Sequence, residues 1–157
     1  RLFRGERRPL PCNRAVLEDL AQIVESLLAA SGDSPEAPIR YLGAVAAWTL
    51  GNHQEAQQAW KALSRDTEYE DRRRVVRRLI VSESTGLPRR YKGRLVEART
   101  KGHWLVELEG TRVKVDLLER DFVGRFFRSG EEVRDFAIAF NFLGPIADPL
   151  VGQESST

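Results

Sequence analysis

The sequence predicts an α+β chain, with helices packed as antiparallel hairpins followed by a small closed sheet. Three observations predict it. Apolar residues recur at three- and four-residue spacing from Val16 to about Ser82. A cluster of breakers, Ser84, Thr85, Gly86, Leu87 and Pro88, then ends the pattern. From Tyr91 onward short alternating runs (GRLVEA, KGHWLVELEG, TRVKVDLL, GEEVRDFAIAFNFLGPIA) are separated by Gly-containing turns, with no long amphipathic helix between them. The expected division is an extended basic segment at 1–12, a helical unit at 13–86, a strand unit at 87–151 and a tail at 152–157.

Composition bounds the function. At 157 residues and 41% hydrophobic content, the chain can bury the core of one domain or of two small ones. The net charge is +2 and evenly spread: 13 Lys/Arg stand against 12 Asp/Glu in residues 1–87, and 12 against 11 in residues 88–157. A dedicated nucleic-acid binder shows a basic excess on one domain, and bulk charge supplies none here. The single cysteine, Cys12, excludes an intrachain disulfide and suits a reducing, cytoplasmic setting. No apolar run approaches the roughly 20 residues that cross a bilayer, so no membrane partner is expected. The chain contains no Met and opens at Arg1, as expected of a portion of a longer protein.

The elements follow in order. Residues 1–12, with four Arg and two Pro and no periodicity, read as an extended connector. Asn13 is placed to cap a helix in which Val16, Leu17, Leu20, Ile23, Val24, Leu27 and Leu28 share one face, with Gly32 as its stop. Ser34 and Pro35 offer the next cap. Ile39, Leu42, Val45 and Trp48 form the second stripe, which Gly51 ends. Asn52 opens a third helix with Ala56, Ala59, Trp60 and Leu63 inward. A fourth is expected from about Thr67 to Ser82, with Tyr69, Val75, Val76, Leu79 and Ile80 inward. Its outer face carries Arg72, Arg73, Arg74, Arg77 and Arg78. Short loops pack such helices as antiparallel neighbours.

Two stretches carry family resemblances. YLGAVAAWTLGNHQEAQQAWKAL, within 39–63, resembles one tetratricopeptide repeat through Leu42-Gly43, Gly51-Asn52, Ala56, Trp60 and Leu63. The physics agrees: Gly43, Ala46, Ala47 and Ala56 allow close helix approach, while Trp48 and Trp60 fill the wider gaps. One repeat cannot bury its own face, so flanking helices or further repeats are expected to cover it. The stretch from about 91 to 151 resembles a cold-shock domain, which implies a five-stranded antiparallel barrel of the oligonucleotide-binding type. The likeness lies in Gly93, Lys101-Gly102, the strand Val113–Leu117 with its Leu-Leu-x-x-Asp-Phe turn, Gly130 before Val133, Phe136 and Ile138, and Gly144-Pro145-Ile146-Ala147. The family, as the resemblance implies, stacks single strands on outward aromatics of its second and third strands. Here those positions read His103, Leu105, Lys114 and Asp116, with Trp104 inward, so most stacking platforms are lost. Arg94, Glu97, Arg99, Lys101, Glu107, Arg112, Lys114 and Asp116 leave an ionic face whose opposite charges pair across strands. Of the adjacent Phe126 and Phe127, one is expected to pack on the helical part.

No catalytic constellation is legible. His53 and His103 stand alone, Cys12 lacks a partner, adjacent carboxylates point apart, and no Gly-rich phosphate loop exists. No cofactor, no metal and no enzymatic activity are expected. The leading reading is a protein-interaction or scaffolding module that docks through Arg73, Arg74, Arg77 and Arg78, at three- and four-residue spacing on one helix flank. The alternative is sequence-tolerant binding of single-stranded RNA or DNA through Arg94, Lys101, His103 and Lys114. A third reading is a regulatory tail of an enzyme whose catalytic domain precedes Arg1.

Overall fold

The computed structural model describes residues 8–11, 13–30, 37–66, 79–141 and 144–149. Among them the order is β1 (Arg8–Pro11), α1 (Arg14–Ala30), α2 (Ala37–Thr49), α3 (His53–Asp66), β2 (Leu79–Ser82), β3 (Tyr91–Thr100), β4 (His103–Leu108), β5 (Lys114–Leu118), a 3-10 turn (Glu119–Asp121), β6 (Glu132–Asn141) and β7 (Gly144–Asp148). The chain is α+β.

The helices begin and end where local chemistry dictates. Asn13 Oδ1 accepts the Val16 N–H at 3.3 Å and caps α1. At the end of α2, Gly51 turns to φ 96° while the Asn52 N–H reaches the Ala47 carbonyl at 2.8 Å. A Cβ on Gly43 would come within 3.0 Å of Val24 Cγ1, so this glycine sets how closely α2 approaches α1. Ala56, Trp60 and Leu63 of α3 are buried, as their spacing predicts. The α1 stripe is narrower than predicted. Leu17 and Val24 are buried, but Val16, Ile23 and Leu27 are exposed, because α1 leans chiefly on α2.

Two segments depart from the sequence expectation. The expected fourth helix ends in strand: Leu79–Ser82 is β2, while residues 67–78 lie outside the described residues. A short apolar run is ambiguous between helix and strand, and a free sheet edge decides it. Residues 8–11, expected to be a connector, form β1, which pairs in parallel with β2 (Leu10↔Val81) and buries Leu10. Pro9 and Pro11 suit an edge strand, where a missing N–H disturbs no inner ladder.

The sheet therefore has seven strands, ordered β1-β2-β6-β3-β4-β5-β7, rather than the expected five. β6 also pairs with β7 (Ile138↔Ala147), so the pairings run β3–β4–β5–β7–β6 and return to β3. Two pairings are parallel, β1–β2 and β5–β7. β6 serves three neighbours because it is long and locally distorted at Asp135, a non-glycine residue at φ 56°. Its first half pairs with β3 (Gly93↔Val133, Tyr91↔Phe136) and its second half with β2 (Leu79↔Phe140). On the other side of β3 a Cβ at Gly93 would strike the Glu107 carbonyl, so only glycine allows that crossing.

One cluster of buried residues joins helices and strands. Val106, Val115, Leu117, Phe136 and Ile138 fill the inner face of the sheet, and Trp104 packs against them. The helices attach through rings. Trp60 stacks on Phe140 at 6.0 Å, Trp48 meets the same ring edge-on at 5.5 Å, and Tyr41 Oη donates to the Phe140 carbonyl at 2.6 Å. The tryptophans expected to fill gaps between helices thus also seal the helices onto β6. Phe126 and Phe127 correct the expectation differently. Phe127 is buried edge-on against Phe122 at 5.5 Å, next to the sheet, and Phe126 is exposed. The Phe127 N–H donates to Glu119 Oε1 at 2.9 Å, which fixes that choice.

Candidate functional site

The ring seal leaves an opening beside it. On α3 the residues His53, Gln57, Trp60 and Lys61 share one face, being four, three and one positions apart. Trp60 is buried in the core and also lines, with the others, a cleft of about 810 Å³ between the helices and the sheet. The opposite wall comes from β4 and β5, whose ladder pairs Leu105 with Asp116 and His103 with Leu118. Successive strand side chains alternate faces, so His103, Leu105, Lys114, Asp116 and Leu118 all point away from the inner core. Arg99 from the end of β3, Arg112 from the β4–β5 turn, and Pro145 and Ile146 of β7 complete the lining.

The electrostatics are one-sided. Lys61, Arg99 and the Arg112–Lys114 turn reach the cleft from three separate parts of the chain. Among the described residues the one carboxylate in the lining is Asp116, whose Oδ1 lies 3.0 Å from His103 Nε2 and 3.9 Å from Arg99 Nη1. Its charge is therefore answered within the wall. At the other end His53 packs edge-on against Trp48 at 5.3 Å, and burial holds its imidazole below the usual histidine range. His53 is thus neutral near pH 7 and adds no charge. Leu105 is half-buried at the floor, Trp48 and Trp60 line the cleft but are buried, and the His53 and His103 rings are only partly exposed.

Of the predicted nucleic-acid contacts, the structure brings His103 and Lys114 together in this cleft and leaves two outside it. Arg94 pairs in register with Glu107 on one side and Glu132 on the other, and its Nη1 donates to the Gly130 carbonyl at 2.7 Å. Lys101 stands exposed on the β3–β4 turn. Arg73, Arg74, Arg77, Arg78, Cys12 and Phe142 lie outside the described residues. Sequence reasoning missed Lys61, although its four-residue spacing from Gln57 and eight-residue spacing from His53 marks the face. Arg99 and Arg112 stood in the ionic set without being singled out. Among the described residues no group of three or more His, Cys, Asp or Glu could hold a metal, and no helix is long and apolar enough to cross a membrane.

Compared with known proteins, the chain matches no family model, no curated protein and no solved structure.

Proposed function

We propose that this chain is a non-catalytic binding module whose cleft takes a short stretch of single-stranded RNA or DNA. One observation carries the reading: four cations from three segments surround a cleft in which Asp116, the one carboxylate among the described lining residues, is paired with Arg99 and His103. A phosphate chain drawn through it would release counterions at each cationic contact. The cleft is of a size for a few nucleotides of one strand rather than for a duplex. With Trp48 and Trp60 buried, base stacking, worth about 1–3 kcal/mol per base, has no large exposed platform in the lining, and affinity rests chiefly on charge. The cyclic pairing of β3, β4, β5, β7 and β6 supports the oligonucleotide-binding, cold-shock-like reading of these strands. A fluorescent single strand should bind with micromolar affinity or better at moderate salt and weaken steeply as salt rises. No binding at low salt would remove this reading.

A protein partner on the helical side is a second reading, favoured by the exposed Val16, Ile23 and Leu27 of α1. It keeps the tetratricopeptide-like reading of the helices. Charge reversal at Arg74 and Arg78 should then abolish a pulldown that reversal at Lys114 leaves intact.

A further inference from the structure

Residues 119–131 connect β5 to β6 and do not border the cleft. They carry the two most exposed large apolar side chains among the described residues, Val123 at 84% and Phe126 at 89%. The loop is tied at both ends. The Glu119 N–H donates to the Gly102 carbonyl and the Gly130 N–H to the Leu95 carbonyl, each at 2.8 Å. Between these ties Phe122 and Phe127 turn inward, the Arg125 N–H donates to the Phe122 carbonyl at 3.1 Å, and the Arg125 guanidinium lies 4.8 Å from the Phe127 ring centre. Anchoring residues 122 and 127 leaves those between them outward, in a shape held without a ligand.

The three arginines and three acids of residues 119–131 balance formally, but the charged side chains that stand exposed are all arginines. Arg120, Arg125 and Arg128 are exposed. Of the acids, Asp121 is buried, Glu119 accepts the Phe127 N–H, and Glu131 accepts the Arg128 N–H at 3.3 Å.

We propose that this loop is an adsorption tip for an anionic lipid surface. A protruding apolar pair cannot enclose a small molecule, but it can enter the headgroup boundary while arginines meet lipid phosphates. Val123 has no π face, so a nucleic-acid base would use only one of the two side chains, whereas an acyl boundary takes both. Surface adsorption of this kind needs no spanning helix.

The test is flotation of the protein with vesicles of phosphatidylcholine alone and with vesicles containing phosphatidylserine. Binding is expected only to the anionic vesicles. Phe126→Ser with Val123→Ser should weaken it by about tenfold to hundredfold, as loss of buried apolar side chains does. Arg125→Glu should cost roughly fivefold or more, from the attraction each basic residue has for such a surface. These positions are exposed, so the variants should unfold at the wild-type temperature, and their oligonucleotide affinity should be unchanged. No flotation with anionic vesicles at low salt overturns the proposal. So does flotation indifferent to Phe126→Ser, or a loss of oligonucleotide binding in place of vesicle binding.

Discussion

Two neighbouring surfaces lie between the same helices and the same sheet, and they differ in kind. At the seal, Tyr41, Trp48 and Trp60 close on Phe140 with rings and one short hydrogen bond. In the adjoining cleft, Lys61, Arg99, Arg112 and Lys114 stand around one paired carboxylate. Trp60 and Lys61 are consecutive on α3, and a helix turns about 100° per residue, so one element serves both. The lesson is a division of labour. Apolar burial at the seal holds the walls at a fixed separation, and that allows like charges in the cleft to remain close without pushing the walls apart.

Experiments that break the seal should cost the most. Phe140→Ala removes the ring that Trp48, Trp60 and the sheet share, and should destabilise the chain by about 3–5 kcal/mol in a urea titration. A loss below about 1 kcal/mol would mean the helices are held elsewhere. Next in size, Arg112→Glu with Lys114→Glu should weaken single-strand binding by tenfold or more and lower the salt slope by about two. The same double variant should leave stability within roughly 0.5 kcal/mol, because both side chains are exposed. If stability falls instead while affinity holds, the two surfaces are not the separate devices described above.

Smaller effects sharpen the boundary between them. Tyr41→Phe deletes a buried hydrogen bond to the Phe140 carbonyl, an expected cost of about 1–2 kcal/mol by thermal or chemical unfolding. An unchanged midpoint would assign the seal to the tryptophans alone. Smallest is the pH response of His53, whose folded pKa is lowered by burial. Below the unfolded value near 6.5 the unfolded chain binds the proton more readily, so its stabilising contribution is complete above that pH and is lost as pH falls through it. His53→Gln should flatten the stability slope just below pH 6.5. A slope that persists in the variant would place the titrating group elsewhere.

Much of the molecule is readable along the chain, for a definite reason. Asn13, Gly51 and the Ala56–Trp60–Leu63 spacing act locally, through capping, left-handed backbone and helix periodicity, so α1 begins, α2 ends and α3 faces inward as read. The β3–β7 runs are equally legible, since alternation and glycine turns are local signals too. What resisted were Leu79–Ser82 and Arg8–Pro11, four residues each, which have no period long enough to read. They became strands because β6 offers an edge beyond the Asp135 distortion. The cleft is half legible in the same sense. His103 and Lys114 follow from strand parity, whereas Lys61 joins them only when α3 docks.

The order and local geometry of the main elements, the alternation that turns Trp104 inward and Lys114 outward, and the near-neutral charge balance belong to the sequence alone. The pairing of β6 with three neighbours, the conversion of two short segments into strands, the seal on Phe140 and the gathering of four cations into one cleft belong to the tertiary structure. The division has one physical cause. Backbone preference acts over a few residues, while edge pairing, ring packing and the summation of charge depend on parts of the chain that are distant in sequence and adjacent only once folded.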